Sequence, residues 1–128
     1  MRRSMLSIGV AVAIGVTPVA VMAASGLVQT MKGWNRTSKS VDAMLTGHAA
    51  FDGATARVAL QQYADGADQI AVQLHGKSAD AQDYHTRFVT FAADAKSLLP
   101  ATAQPTALKA AFTHLMAECS SCHTAYRN

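Results

Sequence analysis

The chain has 128 residues, half of them apolar and only 15% charged. This length suits one domain with a modest core and is too short for an enzyme with a separate substrate domain. Ala is frequent, Gly and Pro are few, and the basic residues form neither a stripe nor a cluster. The composition therefore favours helices, and it excludes a nucleic-acid-binding or membrane-surface protein.

Residues 1–23 have the pattern of a secretory signal peptide. Arg2 and Arg3 give a basic start, an uncharged run follows from Met5 to Val16, and small residues precede a cleavage site predicted after Ala23. The uncharged region is also long enough for a membrane anchor, but its proline and its small-residue end favour cleavage. Export to the periplasm is therefore predicted, without stable insertion in the membrane.

The remaining residues, 24–128, are predicted to form the mature domain. Removing the two arginines of the signal peptide leaves nine Lys and Arg residues against eight Asp and Glu residues, so the net charge is near +1. The basic character of the precursor therefore says little about the partners of the mature protein.

Four helices are predicted in the mature domain, each with one apolar stripe at steps of three and four residues. The first covers about residues 25–46, the second 53–75, the third 79–99, and the fourth begins at Pro105. Gly47 suits a position just after a helix, while Asp52 and Ser78 suit N-caps. Single apolar stripes and short links predict an all-α fold, an antiparallel four-helix bundle.

The only two cysteines, Cys119 and Cys122, lie three residues apart, and His123 follows directly. A redox dithiol usually begins a helix after a strand, and no strand pattern is present. A structural zinc site needs four ligands, and a disulfide here would give His123 no role. Cys-x-x-Cys-His is the signature of covalent haem attachment, in which thiols add to the vinyl groups and the imidazole binds the iron. One covalent haem c is therefore predicted.

The same ending, CSSCHTAYR, resembles the Cys-x-x-Cys-His-x-x-Tyr-Arg/Lys sequence of the cytochrome c′ and cytochrome c-556 family, the class II c-type cytochromes. A second similarity lies in MKGWNRTSKSVDAMLTGHAAFDG, with a Met-Lys pair, an apolar-Gly turn and a Phe-Asp start to the second helix. The resemblance covers essentially the whole mature chain. It implies a four-helix bundle with one haem near the C-terminus, and one-electron transfer with redox partner proteins rather than enzymatic activity.

The resemblance also implies roles for residues outside the motif. Met31 aligns with the position that supplies the second axial ligand in the c-556-like branch, and methionine ligation suits reversible electron transfer. Some relatives carry a methionine here only as a lid, and their five-coordinate iron binds nitric oxide or carbon monoxide. Met44 and Met116 are weaker candidate ligands. Arg127 corresponds to a basic residue thought to screen a haem propionate or the proximal histidine.

The chain also departs from the family. Many relatives carry an arginine four residues before the first-helix methionine, where this chain has Leu27, and the link HGKSAD is shorter than theirs. Haem propionate contacts made by those parts therefore cannot be carried over. Family members often pair through their first two helices, which predicts a homodimer. The other histidines are interpreted as solvated surface residues: His48, His75, His85 and His114.

Overall fold

The computed structural model describes residues 18–74 and 76–126, with side chains from residue 26 onward. The four α-helices are α1 (Pro18–Leu45), α2 (Gly53–Gln73), α3 (Ala79–Ser97) and α4 (Pro105–Tyr126), and a short 3-10 helix (Leu99–Ala103) joins α3 to α4. The described chain is therefore all-α, as predicted.

The predicted signal peptide lies mostly outside the described residues, since residues 1–17 are not among them. Helix α1 begins at Pro18, six residues before the cleavage site predicted after Ala23. Within the described part of the chain, no helix is both long enough and apolar enough to cross a bilayer.

Local capping signals set three of the helix ends. The Asp52 carboxylate accepts hydrogen bonds from the backbone N–H groups of Ala54 and Thr55, at 3.0 and 3.3 Å. The Ser78 hydroxyl accepts one from a backbone N–H in the first turn of α3, at 3.1 Å. Gly47 follows α1 with a φ of 80°, a left-handed conformation that glycine adopts without a steric penalty. All three predicted signals are confirmed.

Two helices end earlier than predicted, α2 at Gln73 and α3 at Ser97. The early end of α3 has a local cause, because Pro100 disfavours helical geometry at the residue before it and lacks the N–H that a continuing helix needs. The link between α3 and α4 forms the 3-10 helix. Buried Thr102 stabilises it by donating its hydroxyl hydrogen to a backbone carbonyl at 2.8 Å.

The helices pack around one core, and α2 and α3 form the most extensive pair. Helix α1 packs on α2, α4 packs on α3 and on the 3-10 helix, and α1 meets α4 at only a few points. Many core positions of α2 are alanines, which let the aromatic side chains of α3 approach closely. The positions of the predicted apolar stripes that are buried are Val41, Ala56, Ala59, Tyr63, Ala67, Ile70, Phe88, Phe91, Ala95, Leu108, Phe112 and Leu115.

Trp34 attaches α1 to this core. The centroid of its ring lies 5.4 Å from that of Phe91 and 5.6 Å from that of Tyr63. The ring packs over Gly66, where an added Cβ would lie 2.9 Å from Cζ2 of Trp34. A second link runs from the hydroxyl of Ser38 to that of Tyr63, at 2.7 Å. The inner face of α1 is therefore held by aromatic packing over a glycine.

This packing makes Gly66→Ala destabilising. The new methyl group would meet a rigid ring that Tyr63 and Phe91 hold in place, so overpacking should lower the free energy of unfolding by about 1–3 kcal/mol. Gly33→Ala is the matched control, since an added Cβ there meets nothing within 4 Å. That change should be neutral or stabilise the protein by about 0.5–1 kcal/mol. Urea unfolding of both holoprotein variants measures the difference, and a Gly66→Ala protein as stable as wild type would contradict the packing.

Candidate haem site

Cys119, Cys122 and His123 lie in the last two turns of α4. Both thiols are free and half-buried, whereas the His123 side chain is exposed. Side chains three and four residues apart on a helix are neighbours, with Cβ atoms about 5–6 Å apart. The helix therefore brings the three predicted residues together within one turn, where they can reach one common object.

Helix α4 changes from a core helix to a half-exposed one along its length. Leu108, Phe112 and Leu115 are buried in its first half, as the apolar stripe predicted. From Cys119 to the last described residue, Tyr126, every side chain is half-buried or exposed. The first half of α4 thus anchors the helix, and its second half presents the cysteine–histidine motif.

The two thiols have raised pKa values. Burial raises the pKa of the Cys119 thiol to about 11, and the negative charges of Glu118 and Cys122 act in the same direction. The pKa of Cys122 is also raised, mainly by burial, although the Arg87 charge opposes the shift. Redox-active dithiols depend instead on a lowered thiol pKa and an electropositive environment. The pair is therefore protonated at neutral pH and does not resemble a redox dithiol.

A polar network from α3 holds the last turns of α4. The Arg87 guanidinium donates to the Asp83 carboxylate at 2.8 Å and to the Ser121 hydroxyl at 3.1 Å. The Tyr126 hydroxyl donates to the same Asp83 oxygen, and the Tyr126 ring centroid lies 5.7 Å from the Arg87 guanidinium. The sequence shows the i,i+4 spacing of Asp83 and Arg87, but it gave no signal that this pair reaches α4.

An open cleft of about 450 Å³ lies at this end of the molecule, and all four helices contribute to it. Its volume falls in the range of roughly 300–1,000 Å³ found for small-molecule and cofactor sites. Leu27 places an apolar side chain in the cleft at the position where many relatives carry arginine. The lining residues are Leu27, Gln73, Leu74, Asp80, Ala81, Tyr84 and Tyr126.

The other candidate ligands lie on α1 and α4. Met31 is half-buried and packs against the core from α1, three residues before Trp34 and on the same side of the helix. Met44 is buried in the core, and Met116 is half-buried on α4. Arg127 lies outside the described residues.

One prediction about the remaining histidines is wrong. His85 is half-buried rather than solvated, because α3 packs on α2 and brings the ring Nδ1 to 2.7 Å from the Ala71 carbonyl oxygen. His48 and His114 are exposed, as predicted. His75 lies outside the described residues.

Comparison with known proteins assigns the chain to a family. A family model described as Cytochrome C' matches residues 27–127, most of the chain, so the chain belongs to the cytochrome c′ family. No curated protein and no solved structure matches it. Members of this family are non-enzymatic four-helix-bundle proteins that carry one covalent haem c. The predicted family, fold class, cofactor and lack of enzymatic activity are confirmed.

The residues of the motif fit this cofactor. Two free thiols and one exposed imidazole within a single helical turn are the groups that covalent haem attachment requires. Helix α1 also meets α4 at only a few points, so it does not pack closely over the half-exposed motif. Cys119, Cys122 and His123 are therefore the residues of the described chain that would hold the haem.

The α3 network gives a pH-dependent prediction. Its hydrogen bonds from Arg87 and Tyr126 lower the pKa of Asp83, so the ionised carboxylate stabilises the folded state above its unfolded pKa. That contribution is lost as the pH falls through the lowered pKa of the folded state. Asp83→Asn should therefore lower the melting temperature of the holoprotein at pH 7.

The difference from wild type should shrink as the pH falls below the ordinary aspartate value of 3.8. Asp42→Asn, a change at an exposed carboxylate on α1, serves as the control. Thermal unfolding followed by circular dichroism from pH 7 to pH 3 measures both variants. A destabilisation of Asp83→Asn that did not change with pH would show that its charge has no role.

Proposed function

We propose that this protein is a periplasmic monohaem cytochrome that carries single electrons. In this proposal Cys119 and Cys122 attach the haem, and His123 and Met31 are the two axial ligands. The main support is the position of Met31, which is half-buried on the inner side of α1 and close in sequence to the firmly packed Trp34. A methionine on a helix that is already packed can bind the iron without the entropy cost of ordering a flexible segment.

Each residue has a defined part in this function. The bound haem supplies a one-electron couple, and a thioether opposite an imidazole stabilises its reduced state. His123 contributes a nitrogen lone pair from a neutral imidazole, and Cys119 and Cys122 fix the group to α4. Arg127, the residue after Tyr126, is proposed to screen a propionate or the proximal histidine, as the family resemblance implies.

Membership of the cytochrome c′ family leaves a second candidate function, which the family resemblance implies: a five-coordinate haem protein that binds nitric oxide or carbon monoxide. In that case Met31 would cover the iron without binding it. Both functions use the same attachment residues and the same packing of α1. They differ in one bond, the bond between the Met31 sulfur and the iron.

The proposed partners are redox proteins in the periplasm and a second copy of the chain. The mature chain is close to neutral, so long-range charge steering contributes little to encounter with a redox partner. Pairing through α1 and α2 follows the family resemblance. Val28 on α1 and Val58 on α2 are 50% and 57% exposed and offer apolar surface for such a dimer.

Replacing Met31 by leucine tests the sixth ligand, because it removes the sulfur while keeping an apolar side chain of similar volume. Wild-type holoprotein should show low-spin absorption bands, a methionine–iron charge-transfer band and no response to carbon monoxide. Met31→Leu should lose that band, become high-spin and bind carbon monoxide. Met116→Leu, the same change at a half-buried site on α4, should resemble wild type. High-spin wild-type protein that binds carbon monoxide would instead support the gas-binding function.

Intact-mass spectrometry tests the attachment and the export together. The periplasmic protein should have the mass of residues 24–128 plus one haem, and this haem should remain after denaturation because thioether bonds are covalent. The double variant Cys119→Ala/Cys122→Ala should retain no haem after denaturation. A wild-type protein that loses its haem in denaturant would contradict the attachment, and a chain that retains residues 1–23 would contradict cleavage.

A further inference from the structure

Three side chains outside the haem motif converge between α3 and α4. His114 and Glu118 lie one turn apart on α4, and Asp94 faces them from α3. The Nε2 atom of His114 is 3.0 Å from Oδ2 of Asp94 and 3.9 Å from Oε2 of Glu118. One nitrogen and two carboxylate oxygens thus lie within 4.8 Å of one another. Two helices of the folded core bring these atoms together.

Within the described chain, the Glu118 oxygen nearest His114 is buried and has no hydrogen-bond partner. A buried oxygen without a partner is costly, because it has lost its hydration and gained nothing in return. Burial raises the pKa of Glu118, and the negative charge of Asp94 raises it further, although the His114 charge opposes the shift. The two carboxylates therefore repel each other, and one His114 ring cannot satisfy both.

We propose that Asp94, His114 and Glu118 bind one divalent transition-metal ion of the zinc type. A cation held between the three atoms would neutralise both carboxylates and give the unpaired Glu118 oxygen a partner. One imidazole and two carboxylates suit such an ion, whereas calcium and magnesium prefer oxygen ligands alone. This site lies beyond the proposed electron-transfer function and uses none of its ligands.

The geometry is close to that of a zinc site. Zinc binds nitrogen and oxygen ligands at about 2.0–2.2 Å, so neighbouring ligand atoms in a tetrahedral site stand roughly 3.3–3.6 Å apart. The 3.0 and 3.9 Å distances from His114 bracket this range. The third separation, between the carboxylate oxygens of Asp94 and Glu118, is at most 4.8 Å. A small movement of the Asp94 side chain, which is 36% exposed, can adjust it. Water would complete the coordination.

An ordinary ion pair does not explain the whole arrangement. The contact between His114 and Asp94 is half-exposed, and such pairs typically contribute about 0–1 kcal/mol. That pair alone would not require a second carboxylate with a buried oxygen beside it. Glu118 also pairs with His114, but at 3.9 Å the contact is too long for a hydrogen bond and leaves the buried Glu118 oxygen without one, whereas a metal ion would give it a partner.

Calorimetric titration of the exported holoprotein with zinc chloride, after removal of metal with EDTA, tests the site. Wild type should bind one ion with a measurable affinity, and excess magnesium should not compete. His114→Ala and Asp94→Asn should each weaken zinc binding at least ~tenfold, the lower end of the effect seen when support for a metal site is removed. His48→Ala, a change at an exposed histidine in a turn, is the matched control and should bind as wild type does.

Glu118→Gln gives an independent test because it keeps the shape of the side chain and removes its charge. It should also weaken binding, and an unchanged haem absorption spectrum would show that the variant remains folded. Failure of wild type to bind zinc would overturn the proposal, as would equal binding by wild type and His114→Ala. These outcomes do not depend on whether Met31 binds the iron, so the site and the electron-transfer function fail separately.

Discussion

The packing of Trp34 over Gly66 is the contact on which the placement of α1, and of Met31 on it, depends. It attaches to α2 and α3 the part of α1 before Val41, where the described side chains are half-buried or exposed. Met31 lies three residues earlier on the same side of α1, so the ring also sets the direction in which Met31 is presented. A glycine on α2 thus determines the position of a proposed iron ligand that it does not contact.

The helices make different contributions to the fold. The α2 and α3 pair supplies most of the core and acts as a rigid support. Helix α4 is anchored by Leu108 and Leu115, and beyond Cys119 it relies on polar contacts with α3. The helices that carry the proposed ligands, α1 and α4, meet each other at only a few points. The structure is therefore tightly packed between α2 and α3, and loosely packed between α1 and α4, the helices that carry the proposed haem ligands.

The features that could be predicted from the sequence are those that depend on neighbouring residues, such as the helix caps. Asp52, Ser78 and Gly47 act within one or two turns of their own helices, so their roles could be read directly from residue type and spacing. The partner of His85 is a carbonyl 14 residues away on another helix, and no periodic pattern indicates such a contact. The proximity of Asp94 and Glu118 could not be predicted from the sequence for the same reason, because it arises only when α3 and α4 pack side by side. Family membership supplied the cofactor, while the bond to Met31 depends on a distance of a few ångströms that no sequence pattern encodes.

The charge near the proposed haem site also depends both on local residue types and on contacts between helices. Leu27 places an apolar side chain in the cleft, and Arg87, the described basic residue whose charge acts on Cys122, is already paired with Asp83. The residues described up to Tyr126 therefore offer little net positive charge beside the proposed attachment site, in keeping with the near-neutral composition of the mature chain. Recognition of a redox partner at this end would then depend on close-range packing rather than on steering. Such recognition is weakly dependent on ionic strength, because screening acts mainly on separated, solvent-exposed charges.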